Sequence, residues 1–199
     1  MDWRILYNPL AVLGGGNGFL AALVVIVILT GAAMWGGVHL DGALDLHISP
    51  ERPSTAMVIL ESLIDWLCLA VLLFAASRLL GGNGGLAGHF AATGLGRFPM
   101  IFAAIIGSRQ LLGAAMLKAI TIRPEEIVVR PQEIITPALI IGGLAIVGFV
   151  AWSIVMLVYG FKEVTRLQGG KLAAGFVIGI ILAETVSKLV LLTVLKIGM

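Results

Sequence analysis

The sequence predicts an all-α integral membrane protein, a compact bundle of five transmembrane helices. Of 199 residues, 59% are hydrophobic and only 12% charged, with a mean hydropathy of +1.08. A soluble domain carries about 25% charged residues and could not hide this much apolar surface. Five stretches meet the roughly 20 apolar residues that a bilayer core demands of a helix. They take more than half of the chain, which leaves no room for a separate soluble domain. The formal charge of +2 offers no basic excess for nucleic acid. The one cysteine, Cys68, falls inside an apolar run, so neither a disulfide framework nor a cysteine-based zinc site is expected.

Residues 1–17 read as a short interfacial segment and 18–199 as the membrane domain. Trp3 and Tyr7 stand four apart, on one face of a helical turn, and amphipathic rings favour the headgroup level. Pro9 and the run Gly14, Gly15, Gly16 should break any helix before the first span. That span, Gly18–Val38, is uncharged; its 21 residues exceed the 7–15 of a signal peptide's apolar region, so a retained helix is expected. The second, Ala56–Ser77, contains Glu61 and Asp65. The connection that follows, GGNGGLAGH with His89 at its end, reads as a flexible linker and lacks the ending of a phosphate-binding loop. The third span, Phe98–Leu117, surrounds Arg109; the fourth, Pro137–Phe161, is uncharged; the fifth, Leu172–Leu195, contains Glu184 and Lys188. Between the third and fourth lies a near-repeat, Arg123-Pro124-Glu125-Glu126-Ile127 and Arg130-Pro131-Gln132-Glu133-Ile134, expected as an ordered cap or hairpin.

Five spans put the chain ends on opposite sides. Arg4, Arg78, Arg97, Lys162, Arg166 and Lys171 fall on one side, and Arg52, Lys118, Arg123, Arg130 and Lys196 on the other. The short connection from Lys162 to Lys171 carries three of the positive charges. The expectation is an inner-membrane protein with its amino terminus cytoplasmic and its carboxyl terminus external.

Ionisable groups inside a bilayer are costly unless paired or wet, which makes them functional candidates. At about 1.5 Å per residue, Asp65, Arg109 and Glu184 fall within roughly 3 Å of their spans' midpoints, so they are expected in one layer. Glu61 and Lys188 fall in a second layer, displaced toward the same side by about 7 to 8 Å. Three carboxylates against two cations leave one negative charge without a partner, which calls for a proton or a bound cation. This network supports two readings: a proton or ion relay with Arg109 as fixed counter-charge, or ion pairs that set helix register. Among small residues, Gly175 and Gly179 have the GxxxG spacing, while Gly143 with Gly148 and Gly31 with Gly36 offer further close-approach surfaces. These serve intramolecular packing or homodimerisation.

After the first span the chain reads His39-Leu40-Asp41-Gly42-Ala43-Leu44-Asp45-Leu46-His47. Two imidazoles and two carboxylates are ligand types for zinc, manganese or iron. On a helix His39 and His47 lie about 80° apart with the aspartates turned away. In a strand all four share a face, but the histidines stand about 26 Å apart. Only a reversal at Gly42 brings them around one ion. The expectation is a polar interfacial loop whose Leu40, Leu44 and Leu46 dip into the headgroups, with no cofactor.

The five closely spaced spans, the HLDGALDLH segment, the GRFPMIFAAIIG opening of the third span and the ending WSIVMLVYGFKEVTRLQGGKLAAGFVIGI together resemble the prokaryotic branch of the Yip domain family, the Ypt/Rab-interacting membrane proteins. The resemblance covers nearly the whole chain and involves no catalytic signature. It implies a five-span fold with the amino terminus inside. Eukaryotic members carry a cytosolic amino-terminal region and act as adaptors in vesicle traffic; only 17 residues precede the spans here, so a Rab-binding role does not carry over. The expected function is a membrane adaptor or organiser that is not an enzyme, with the lipid bilayer, a second copy or other membrane proteins as partners. A small transporter or proton-linked permeation subunit using the buried charges is the alternative, and a metal-dependent membrane enzyme a more distant one.

Overall fold

In lipid a chain can satisfy its backbone polar groups internally by forming helices, and the computed structural model, which describes residues 2–42, 44–121 and 136–198, shows each apolar stretch as one. Among the described residues there is no strand, only one isolated bridge between His39 and His47. The near-repeat lies outside them, within 122–135.

The entry segment is a 3-10 turn, Trp3–Leu6, followed by α1, Pro9–Leu13. Pro9 opens this helix rather than preventing it, because the first helical position needs no N–H, and Asn8 accepts a capping bond from Ala11 N. The first span, α2, runs Gly15–Gly36 and so begins three residues before the expected Gly18. It ends where Gly37 adopts a left-handed conformation, φ 63°, and returns its N–H to Ala33 O. Ser54 caps α3, Thr55–Leu79, by accepting from Met57 N.

The third span departs most from expectation. It starts at Leu86, twelve residues before Phe98, and is built in pieces: α4 (Leu86–Gly96), α5 (Phe98–Ile106), a π turn (Arg109–Gly113) and α6 (Ala114–Thr121). Pro99 lacks the N–H and crowds the carbonyl one turn back, which accounts for the break at Arg97. The glycine-rich linker is correspondingly shorter than its composition suggested. His89 sits inside α4, 1% exposed, with Nδ1 donating to Gly85 O and Nε2 3.3 Å from Ser77 Oγ. Thr136 caps α7, Pro137–Thr165, and α8 runs Gly169–Gly198.

Helix α8 packs along α3, α3 against α4, and α4 meets α2 and α7; α5 lies between α2 and α7. One apolar core joins α2, α3 and the third span around Leu29, Val58, Trp66 and Met100; a second, around Leu69, Leu73, Leu157 and Phe161, joins α3 to α7 and α8. Gly175 and Gly179 belong to this second contact. A Cβ on Gly179 would stand 2.5 Å from Leu73 Cδ2, and one on Gly175 3.0 Å from Leu80 Cδ1, so their spacing is used within the chain. Gly143 and Gly148 face open space on α7, beside exposed Ile140, Ile141, Leu144 and Val147. That uncovered face suits lipid, which is as apolar as the side chains themselves.

Candidate functional site

The break in the third span aims Arg97 into the bundle. Gly96 lets the chain press against α7, where a Cβ would lie 2.5 Å from Leu157 Cδ2. Arg97 is 2% exposed and Asp65 1%. Arg97 Nη2 donates to Gly42 O at 2.9 Å and lies 3.7 Å from Asp65 Oδ2. Glu184 of α8 interacts electrostatically with both. Asp65 and Glu184, expected in one layer with Arg109, meet Arg97 instead. Starting the third span at Leu86 moves its centre toward Arg97 and leaves Arg109 in the last third of the span, Leu86–Lys118. There the Arg109 guanidinium serves the backbone, donating to the carbonyls of Gly37, Ser49 and Pro50.

The HLDGALDLH segment is not a loop lying on the headgroups. It folds inward as a plug. Val38 and Leu40 are buried in the first core, Leu46 packs against it, and Leu44 packs against the second. The reversal at Gly42 does occur: His39 N donates to His47 O at 2.9 Å, His47 N returns to His39 O at 3.3 Å, and the two rings stack 5.1 Å apart. Gly42 lies against α8, where a Cβ would overlap the Glu184 carboxylate unless that side chain moved.

The plug forms the floor of a cup of about 580 Å³ whose walls include His39, Asp41, His47, Glu61 and Lys188. Glu61, 0% exposed, accepts from His39 Nδ1 at 2.7 Å and from Leu40 N at 3.0 Å. Both donors belong to the plug, and Lys188, expected in one layer with Glu61, pairs elsewhere. Lys188 Nζ lies 2.8 Å from Asp45 Oδ2 and 2.9 Å from Glu184 Oε1, tying α8 to the plug. His47 Nδ1 stands 3.1 Å from Asp41 Oδ1. That carboxylate raises the His47 pKa above its ordinary value, and the imidazole lowers that of Asp41.

Of the four sequence-predicted metal ligands, Asp41, Asp45 and His47 offer donor atoms within 4.8 Å of one another, while His39 turns to Glu61. Two oxygens and one nitrogen suit a divalent transition metal. The Lys188 ammonium already supplies a positive charge to Asp45, so an ion would have to displace it.

The electrostatic sum is larger than the sequence suggested. Glu61, Asp65 and Glu184 are joined by Asp41 and Asp45, five carboxylates against Arg97, Lys188 and the two imidazoles. Arg97 and the two aspartates of the plug complete the network. The sequence did carry one signal for Arg97: it interrupts an otherwise uncharged run from Leu86 to Gly107.

A family model described as Yip1 domain matches residues 10–192. No curated protein and no solved structure matches the chain.

Proposed function

The chain belongs to the Yip1 domain family, and on that premise we propose that this polytopic membrane protein acts as an adaptor or organiser with no chemistry of its own. The observation that supports this reading is where the cup stops. Its walls reach Glu61, whereas Asp65, Arg97 and Glu184 do not line it. A buried ion pair adds little net stability but can fix register. In this reading the pair joins α3, the third span and the plug, and Glu184 brings in α8, so that the outer faces are presented in fixed positions. The partner is another membrane protein or a second copy of the chain. We place the protein in the inner membrane with its amino terminus cytoplasmic, because the short connection from Lys162 to Lys171 carries three positive charges.

One observation favours a second reading, proton- or cation-linked permeation. The cup is lined by the ionisable groups His39, Asp41, His47 and Lys188, with the carboxylate of Glu61 behind His39. Reconstitution into vesicles with an internal pH-sensitive dye separates the two readings. The adaptor reading expects wild type and Asp65→Asn to leak no faster than protein-free vesicles; a proton flux abolished by Asp65→Asn would establish permeation. A photocrosslinker at position 141, on the exposed face of α7, should trap a membrane partner in cells, and trapping of lipid alone would count against an adaptor.

A further inference from the structure

Away from the cup, toward the other end of the bundle, lie two small neighbouring cavities lined by adjoining residues of the entry segment and α7. The first, about 300 Å³, is enclosed by apolar side chains including Leu6, Leu13, Val25, Leu95, Trp152 and Met156. This is about ten times the volume that one water molecule occupies in the liquid, and hydrocarbon suits such a lining better than water. The second, about 280 Å³, is polar, and its walls include Arg4, Tyr7, Tyr159, Lys162, Glu163 and Arg166.

Both are built from the entry segment and from successive turns of α7. Ile5 and Leu6 face one cavity while Arg4 and Tyr7 face the other; along the helix axis Met156 lies about 9 Å and Trp152 about 15 Å from Lys162. Trp152 Nε1 donates to Leu6 O, and the Tyr7 and Tyr159 rings meet edge to face at 5.0 Å, so the entry segment is held against α7 between the two cavities. Glu163 is engaged by Arg166 at 3.0 Å and by Asn8 Nδ2 at 3.4 Å. Over this whole end of the chain five cations (Arg4, Arg78, Lys162, Arg166, Lys171) face two anions (Asp2, Glu163), a net +3.

We propose that these cavities form a binding site for one anionic glycerophospholipid, its phosphate held by Arg4, Lys162 and Arg166 and one acyl chain seated between Leu95, Trp152 and Met156. The vertical order is that of a lipid in its own leaflet: hydrocarbon beside the deeper residues, tyrosine hydroxyls at the ester level, basic groups at the phosphate. Charge complementarity selects an anionic headgroup, because basic side chains near a membrane surface attract anionic lipids. The inference requires membrane insertion and is independent of the adaptor reading.

Native mass spectrometry of the full chain, released from nanodiscs of phosphatidylcholine mixed with phosphatidylglycerol, tests it. Wild type should retain one phosphatidylglycerol in preference to phosphatidylcholine. Lys162→Gln combined with Arg166→Asn, the latter tolerant of the left-handed φ of 59° at that position, should reduce the preference about fivefold per charge removed. Lys171→Gln, outside the cavity, should leave it unchanged. Met156→Trp, checked for an intact melting transition, should lower retention of both lipids by filling the apolar cavity. Glycerol phosphate, which has the headgroup charge and no acyl chain, should not displace the lipid. Equal loss in Lys171→Gln and the double variant would reduce the effect to general surface charge and overturn the site, as would displacement by glycerol phosphate.

Discussion

Arg97 and Asp65 meet in the interior of the bundle, Nη2 3.7 Å from Oδ2, each almost wholly removed from solvent. Each side chain would be left buried without a counterpart if the other were removed, and Arg97 also holds the plug carbonyl of Gly42. The plug, α3 and the third span are therefore fixed by one guanidinium.

Removing one member of this pair should cost about 3 to 5 kcal/mol, since the other is left buried and uncompensated. Arg97→Leu and Asp65→Leu should each lower the melting temperature in detergent, and the double variant should lose less than the sum of the two. Arg109→Leu should cost less than Arg97→Leu, because Arg109 loses only carbonyl partners near the end of its span. Strict additivity of Arg97→Leu and Asp65→Leu would show that the pair does not couple.

The plug makes an equally local prediction. Gly42→Ala forces a methyl group into the Glu184 carboxylate and should destabilise the protein by about 1 to 3 kcal/mol, the usual cost of overpacking. Glu184→Ala in the same chain should relieve much of that cost, although it also removes a Lys188 partner. If Gly42→Ala melts like wild type, the reversal does not lie against α8.

Most of this architecture was legible in the sequence, for physical reasons that also explain what was not. Glu61, Asp65, Glu184 and Lys188 stand out because a charge in an apolar run has few uses besides pairing or function. Arg97 was obscured by its neighbours. The expected third span began at Phe98 and so left Arg97 outside it, whereas the helix begins at Leu86 and its break at Arg97 aims the side chain inward. The His39 to His47 segment could be assigned donor atoms but no geometry, because the reversal depends on Glu184 and Arg97 from distant parts of the chain. Leucines at 40, 44 and 46 have no helix or strand period of their own, so whether they enter lipid or protein is decided by the space the helices leave, Leu40 and Leu46 entering the first core and Leu44 the second.

Orientation can be read by chemical labelling. With Cys68→Ala as background, Glu51→Cys and Arg166→Cys place single thiols at opposite ends of the bundle, both at exposed positions. An impermeant maleimide added to intact cells should label position 51 and leave position 166 unlabelled until the membrane is opened. The reverse pattern would invert the assignment of the amino terminus to the cytoplasm.

The pair of Asp41 and His47 should make the plug sensitive to pH, with a sign set by both partners. The folded pKa of His47 is raised, chiefly by Asp41 with help from Asp45 and Glu61, so its contribution is complete below the ordinary histidine value of about 6.5 and fades as pH rises through the higher folded value. The folded pKa of Asp41 is lowered by His47, so its contribution is complete above its ordinary value of 3.8 and fades as pH falls through the depressed one. The pair is strongest between those limits. Both side chains are partly exposed, 45% and 32%, so the attraction is screened and should not exceed about 1 kcal/mol. The melting temperature of wild type should therefore exceed that of Asp41→Asn by more at about pH 6 than at about pH 8.5. Histidine ring resonances should show His47 titrating above 6.5 in wild type and returning toward it in the variant. A difference between the two proteins that is flat across this range would mean that the imidazole and carboxylate do not interact, and that the backbone bridge between His39 and His47 holds the reversal without them.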